Sequence, residues 1–139
     1  MIVLDTNVLS ETLRLQPANS VRRWMEIQSA TSLFTTSICQ AEILYGVGLL
    51  APGRRRTALE NAIAAIFDEE FAGRVVGFDS AAARAFAEIA VHRRRLGRPI
   101  SEFDAQIAAI ALANGATVAT RNIEDFTDCG ITVVSPWKE

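Results

Sequence analysis

One histidine and two cysteines are all the nitrogen and sulfur ligands this 139-residue chain offers. Cys39 and Cys129 form no C-x-x-C pair and His92 stands alone, which argues against a structural zinc site. His92 sits beside Arg93, remote in sequence from the acidic elements, and reads as a surface residue rather than a catalytic one. Lysine occurs once, at Lys138, so positive charge rests on 13 arginines. The net charge is −2, and the chain has no global basic field of the kind that advertises nucleic acid. Long apolar runs are also missing. No window approaches the roughly 18 uninterrupted apolar residues of a spanning helix, and a basic segment followed by a long apolar stretch does not open the chain. These absences, with two unpaired thiols, predict a soluble cytoplasmic protein with no membrane association.

Half of the residues are hydrophobic, enough for a real core, and the length suits one domain spanning 1–139. Short apolar, β-branched runs at residues 2–4, 33–36, 74–78, 117–119 and 131–134 read as strands. Between them lie helical patterns at 8–14, 20–29, 38–50, 57–71, 81–96 and 102–113. Pro17-Ala18-Asn19 and Ala51-Pro52-Gly53 break the chain, with Asn19 or Ser20 as a cap, and Asn114-Gly115 is a helix stop. Ser37 with Gln40 forms a capping-box pattern. Strands separated by helices imply parallel pairing through right-handed crossovers. The expected fold class is therefore α/β: a three-layer α/β/α single domain with a roughly five-stranded parallel sheet.

The apolar run Ile2-Val3-Leu4 ends on Asp5, followed by Thr6 and Asn7. This places Asp5 at the carboxyl end of a buried strand, where parallel α/β sheets put ligands. Asp5 also reads as a helix cap, but three capping types in a row exceed what capping needs. Glu42 falls one turn into the helix after the second strand, among apolar neighbours. Taken alone it is a surface residue, and its nearness to a strand end raises it to a candidate. Asp104 is the third position of the helix after Ser101, an S-x-x-D capping-box pattern that is compatible with a functional carboxylate at a helix N-terminus. Phe103 reads as core. After the fourth strand, Thr120, Asn122 and Asp125 can hold waters or a substrate phosphate, or cap a short helix reciprocally. Carboxylates sharing a poorly solvated cleft repel one another and become tolerable when a divalent cation neutralises them. Mg²⁺, with Mn²⁺ as a substitute, takes one or two direct carboxylates plus waters and phosphate oxygens. It can activate water for in-line attack on phosphorus.

Taken together, Val3-Leu4-Asp5-Thr6-Asn7, Gln40-Ala41-Glu42-Ile43-Leu44-Tyr45-Gly46, Asp104-Ala105-Gln106-Ile107-Ala108-Ala109, and Ala119-Thr120-Arg121-Asn122 with Asp125-Phe126 resemble the PIN-domain nucleases. The likeness is greatest to the VapC-type toxins of toxin–antitoxin pairs, and it covers essentially the whole chain in order. It implies strand order 3-2-1-4-5, Mg²⁺- or Mn²⁺-dependent endoribonuclease activity, homodimerisation and inhibition by a small VapB-type antitoxin. The family's metal acids carry onto Asp5, Glu42 and Asp104; Thr6, Asn7, Thr120, Asn122 and Asp125 complete the candidate site. Where the family often has a further acid, this chain has Asn122, so one tightly held ion is expected in the free protein.

Arginine clusters at Arg22-Arg23, Arg54-Arg55-Arg56 and Arg93-Arg94-Arg95 with Arg98 read as solvated helix faces, or as phosphate contacts. The chain position of Arg93, Arg94, Arg95 and Arg98, just before the Asp104 helix, makes them the expected guides for RNA. Helices 38–50 and 57–71 carry more apolar residues than one buried stripe requires. Leu44, Tyr45, Val47, Leu49 and Leu50 cannot all face one sheet, which predicts an apolar groove or a self-complementary patch. The competing reading is a non-catalytic α/β module, binding nucleic acid or protein, whose acids only cap helices. A phosphatase using Asp5 as phosphoryl acceptor would prefer an acid where Asn7 stands.

Overall fold

The computed structural model describes residues 1–138. Five parallel strands, β1 (Ile2–Leu4), β2 (Leu33–Thr36), β3 (Val75–Val76), β4 (Thr117–Ala119) and β5 (Val133–Val134), form one sheet in the order β3-β2-β1-β4-β5. β1 is central. Val3 pairs with Phe34 on one side and Val118 on the other. Both flanks of β1 are therefore hydrogen-bonded, and Val3 and Leu4 are fully buried. The sheet belongs to a three-layer α/β/α arrangement, as expected for strands linked by helical crossovers.

Among the described residues six helices make the outer layers: α1 (Thr6–Thr12), α2 (Asn19–Ile27), α3 (Ser37–Gly48), α4 (Arg54–Ala65), α5 (Ser80–Arg95) and α6 (Glu102–Ala113). Their starts follow local chemistry. Thr36, the last residue of β2, caps α3 by accepting the Cys39 N–H at 3.0 Å. The cap thus falls one residue earlier than the Ser37 box suggests. Ser101 caps α6 through the Asp104 N–H at 3.2 Å, and Asp79 caps α5 through the Ala82 N–H at 2.9 Å. No side chain caps α2; Asn19 instead accepts from Arg22. The helix expected over 57–71 begins at Arg54 and loosens after Ala65 into a π-helical turn, Ile66–Glu70, closed by the Phe71 N–H on the Ile66 carbonyl at 2.9 Å. That widening keeps Ile66, Phe67 and Phe71 buried together.

The two edge strands are shorter than the apolar runs at 74–78 and 131–134, because each has only one neighbour to pair with. α6 is the most deeply embedded helix. Ala105 and residues 107 to 111 are all buried, and the small alanine side chains let it pack closely. Gly115 leaves it with φ +64°, a left-handed conformation that suits glycine. Among the described residues, no helix is long and apolar enough to cross a membrane.

Candidate active site

The carboxyl ends of β1, β2 and β4 open onto a cleft of about 680 Å³. Its walls include Asp5, Thr6, Asn7, Glu11, Arg14, Glu42, Phe103, Asp104, Arg121, Asn122 and Asp125. Asp5 sits at its floor. Its N–H extends the β1–β4 ladder to the Ala119 carbonyl at 2.9 Å, which fixes the backbone where the strand stops. Its Oδ1 accepts from the Thr6 N–H at 2.8 Å and its Oδ2 from the Thr120 hydroxyl at 2.7 Å. The Thr120 hydroxyl in turn accepts from Asn7 Nδ2 at 3.3 Å and from the Asn122 N–H at 3.1 Å. Asn7 Oδ1 accepts the Arg121 N–H at 3.1 Å, and the Thr6 hydroxyl donates to Glu42 Oε1 at 2.8 Å. Six of the eight candidate residues thus form one hydrogen-bonded network, drawn from three strand ends.

The carboxylates of Asp104 and Asp125 stand outside that network but line the same cleft, and the Asp125 N–H donates to the Asn122 carbonyl at 3.0 Å. Burial pushes the Asp5 carboxyl up to about 6, assisted by the negative charges of Asp104 and Glu42 and opposed by the hydrogen bonds from Thr120 and Thr6. Burial also raises Asp104, with Asp125 adding to the effect and Ser101 and Arg93 opposing it. These acids therefore sense one another across the cleft. Among the described residues, however, no three Asp, Glu, His or Cys side chains are gathered closely enough to hold a metal ion as they stand. The donor set is still all oxygen and anionic, the chemistry of a hard cation. Mg²⁺ needs only one or two direct carboxylates, so Asp5, Glu42 and Asp104 fit such an ion without forming a closed cage.

Several residues sit differently from what the sequence suggests. Phe103, read as core, is 53% exposed and lines the cleft. Arg93, expected to guide RNA, is buried. Its guanidinium donates to the carbonyls of Arg98 at 2.7 Å, Asp125 at 3.0 Å and Thr127 at 3.1 Å. It ties the end of α5 to the turn carrying Asp125 and cannot reach solvent phosphate. Arg98 pairs with Asp128 and donates to the Thr127 hydroxyl, pinning the same turn. Arg94, Arg95 and His92 are exposed. Glu11 escaped the sequence reading. It is buried, lines the cleft, accepts the Ala18 N–H at 3.0 Å and lies 3.6 Å from Arg14. Its signal was helical spacing: Asn7, Ser10, Glu11 and Arg14 follow i, i+3, i+4, i+7 and make one polar stripe along and just past α1.

A parallel sheet whose carboxyl edge gathers hydrogen-bonded and mutually repelling carboxylates defines an acidic α/β site at the edge where such sheets place their ligands. The chain belongs to the PIN domain family, which matches residues 2–129. It is similar to a plasmid stability protein, StbB, of Pseudomonas syringae pv. tomato, at 40% identity with 99% of each chain covered. It is also similar to VapC ribonuclease Y4jK of Sinorhizobium fredii, at 36% identity and 99% of each. Toxin FitB of Neisseria gonorrhoeae is 35% identical over 100% of both chains. The crystal structure of FitAcB from the same organism superposes with a TM-score of 0.90 at 34% identity, covering 100% of both chains.

Proposed function

We propose that the protein is a divalent-metal-dependent endoribonuclease and the toxin of a toxin–antitoxin pair. The observation that carries this reading is the network in which Thr120 and Thr6 hold Asp5 and Glu42 at one sheet edge, facing Asp104. Relatives named as a ribonuclease and as a toxin, similar along the whole chain, support it. Asp5, Glu42 and Asp104 would hold Mg²⁺ or Mn²⁺, which when bound neutralises the acids and supplies Lewis-acid activation of the phosphodiester.

The remaining roles belong to the chain itself. Thr120 fixes the direction of the Asp5 carboxylate, and Thr6 does the same for Glu42. Asn7 locks β4's exit to α1 through both ends of its amide, so the cleft is organised before substrate arrives. Attack by water, with no part for the ribose 2′-hydroxyl, leaves 5′-phosphate and 3′-hydroxyl ends. The test is cleavage of a single-stranded RNA by the purified protein with Mg²⁺ or Mn²⁺, followed by analysis of the ends. A 2′,3′-cyclic phosphate, or full activity in excess EDTA, contradicts the reading.

Its partners follow from a second feature. A groove of about 1100 Å³ runs from Thr6 and Glu42 past Leu13, Ile43 and Val47 to Leu59. Beside it Leu44, Tyr45 and Leu49 of the α3 region are more than half exposed. This apolar surface suits the tail of a small VapB-type antitoxin and a homodimer contact, and the groove's open end at Glu42 lets a basic side chain neutralise the acids.

A further inference from the structure

We infer that Phe103 and Arg121 form a recognition platform at the mouth of the acidic cleft, Phe103 stacking on an unpaired base and Arg121 engaging the adjoining phosphate. This rests on the ribonuclease reading.

The cleft poses a problem for a polyanion. Its walls carry Asp5, Glu11, Glu42, Asp104 and Asp125 against two arginines, Arg14 and Arg121, and Arg14 lies 3.6 Å from Glu11. Arg93 points inward, Arg98 is paired with Asp128, and the exposed Arg94 and Arg95 do not line the cleft, so the arginine run before α6 adds little at its mouth. A substrate held here needs an attraction that does not depend on net charge. Phe103 offers one. It is the second residue of α6, immediately before Asp104, in a helix start fixed by the Ser101 cap, and the residue is 53% exposed on the cleft wall. Stacking on an aromatic ring works for any base, but only for a base free of its pair.

Arg121 supplies the complementary contact. Asn7 Oδ1 holds its backbone N–H, and its guanidinium lies over the Trp137 ring with its carbon 5.2 Å from the ring centre. A cation over a ring spends no hydrogen bond, so the guanidinium N–H groups of Arg121, exposed at the cleft wall, keep their capacity to take phosphate oxygens in pairs. Asn7 therefore couples Arg121 to the same Thr120 hydroxyl that orients Asp5. The platform and the acids are parts of one framework.

The experiment is steady-state cleavage of a single-stranded RNA and of the same strand annealed to its complement, in Mg²⁺, by wild type and by Phe103→Ala, Phe103→Leu and Phe103→Tyr. Wild type prefers the single strand. Phe103→Ala and Phe103→Leu raise KM for the single strand at least about fivefold with a smaller change in kcat, and Phe103→Tyr restores it. Because the ring is exposed, thermal melting of the variants stays close to wild type. Single abasic substitutions along the RNA should include one position that weakens wild type and leaves Phe103→Ala unaffected. A Leu variant as good as wild type, or no such abasic position, overturns the platform while cleavage itself stands. A wild-type protein that cleaves neither RNA overturns the ribonuclease reading, and the platform with it.

Discussion

The Thr120 hydroxyl reaches Asp5 Oδ2 at 2.7 Å, joining residues 115 positions apart in the chain. It also accepts from Asn7 and from the Asn122 N–H, so one hydroxyl fixes the ends of both β1 and β4. Replacing Thr120 by Val removes a donor and an acceptor while keeping the shape. Among the described residues no buried side-chain polar atom lacks a partner, so the loss leaves Asp5 and Asn7 short of theirs. Thr120→Val should destabilise by roughly 1–3 kcal/mol in urea unfolding and lower RNA cleavage sharply, whereas Thr120→Ser keeps both. A Val variant with wild-type activity removes Thr120 from the site.

The pH dependence of stability follows from Asp5. Its carboxyl is pushed up to about 6 from an ordinary 3.8, chiefly by burial. The folded protein keeps a proton that the unfolded chain gives up, so this group's contribution falls as pH rises from about 4 to about 6 and is lost above that. The shift corresponds to roughly 3 kcal/mol, of which the poorer fit of an amide beside Thr120 returns part. In EDTA, Asp5→Asn should therefore stabilise by about 1–2 kcal/mol at pH 7 and by little at pH 4. A gain that is equal at the two pH values contradicts the assignment.

Metal binding should depend on the same acids in the opposite sense. Calorimetric titration with Mn²⁺ should show affinity reduced at least about tenfold in Asp5→Asn and in Asp104→Asn, because each loses a charged oxygen ligand or its electrostatic support. Unchanged affinity in both variants would falsify the proposed ion site, even if cleavage were lost.

The arginine run divides into one inward residue and two outward ones. Arg93→Ala strands the carbonyls of Arg98, Asp125 and Thr127 and should cost roughly 3 kcal/mol, readable by denaturant unfolding. Arg94→Gln with Arg95→Gln should change stability by less than about 0.5 kcal/mol. That pair should instead flatten the salt dependence of RNA binding by about one in the log–log slope. An unaltered slope assigns Arg94 and Arg95 to a solvated helix face.

The exposed α3 surface should govern assembly. Light scattering at micromolar concentration should give a dimer for wild type. Tyr45→Ser with Leu49→Ser should weaken either self-association or capture of the co-expressed antitoxin. A wild-type monomer that is harmless when expressed alone contradicts both the dimer and the toxin reading.

Much of this was legible in the sequence, for reasons that differ by residue. Asp5 was readable because an apolar run that ends on an acid followed by Thr-Asn marks a buried strand giving way to a helix; Asp5 itself caps that helix, and Asn7 supplies the amide bridge. Glu42 was readable from its nearness to the end of the second strand, and Asp104 from its place at a helix start. Phe103 was not. An aromatic amid Ala and Ile looks like core, and Phe103 shares a helix face with the buried Ile107 and Ile110; it is exposed because it lies in the first turn of α6, at the cleft, before the helix becomes buried on all sides. Arg93 was missed for a different reason. Three consecutive arginines look alike in sequence, yet they point about 100° apart around a helix, so one of them faces the neighbouring turn. The shortened edge strands and the π-helical turn depend on partners far along the chain, which local pattern does not carry.

The two buried thiols are chemical clocks set at different depths of the site. Cys39 donates to the Leu4 carbonyl at 3.5 Å, and burial pushes its thiol up to about 11. Cys129 lies against Arg93 and donates to the Thr127 carbonyl at 3.5 Å. Since only an exposed thiolate reacts, a thiol reagent modifies each cysteine at the rate at which its surroundings open. Cys39 times the seam between β1 and α3, which holds Asp5 and Glu42. Cys129 times the turn that carries Asp125, so the same trace read with and without Mg²⁺ shows which half of the cleft an ion fastens.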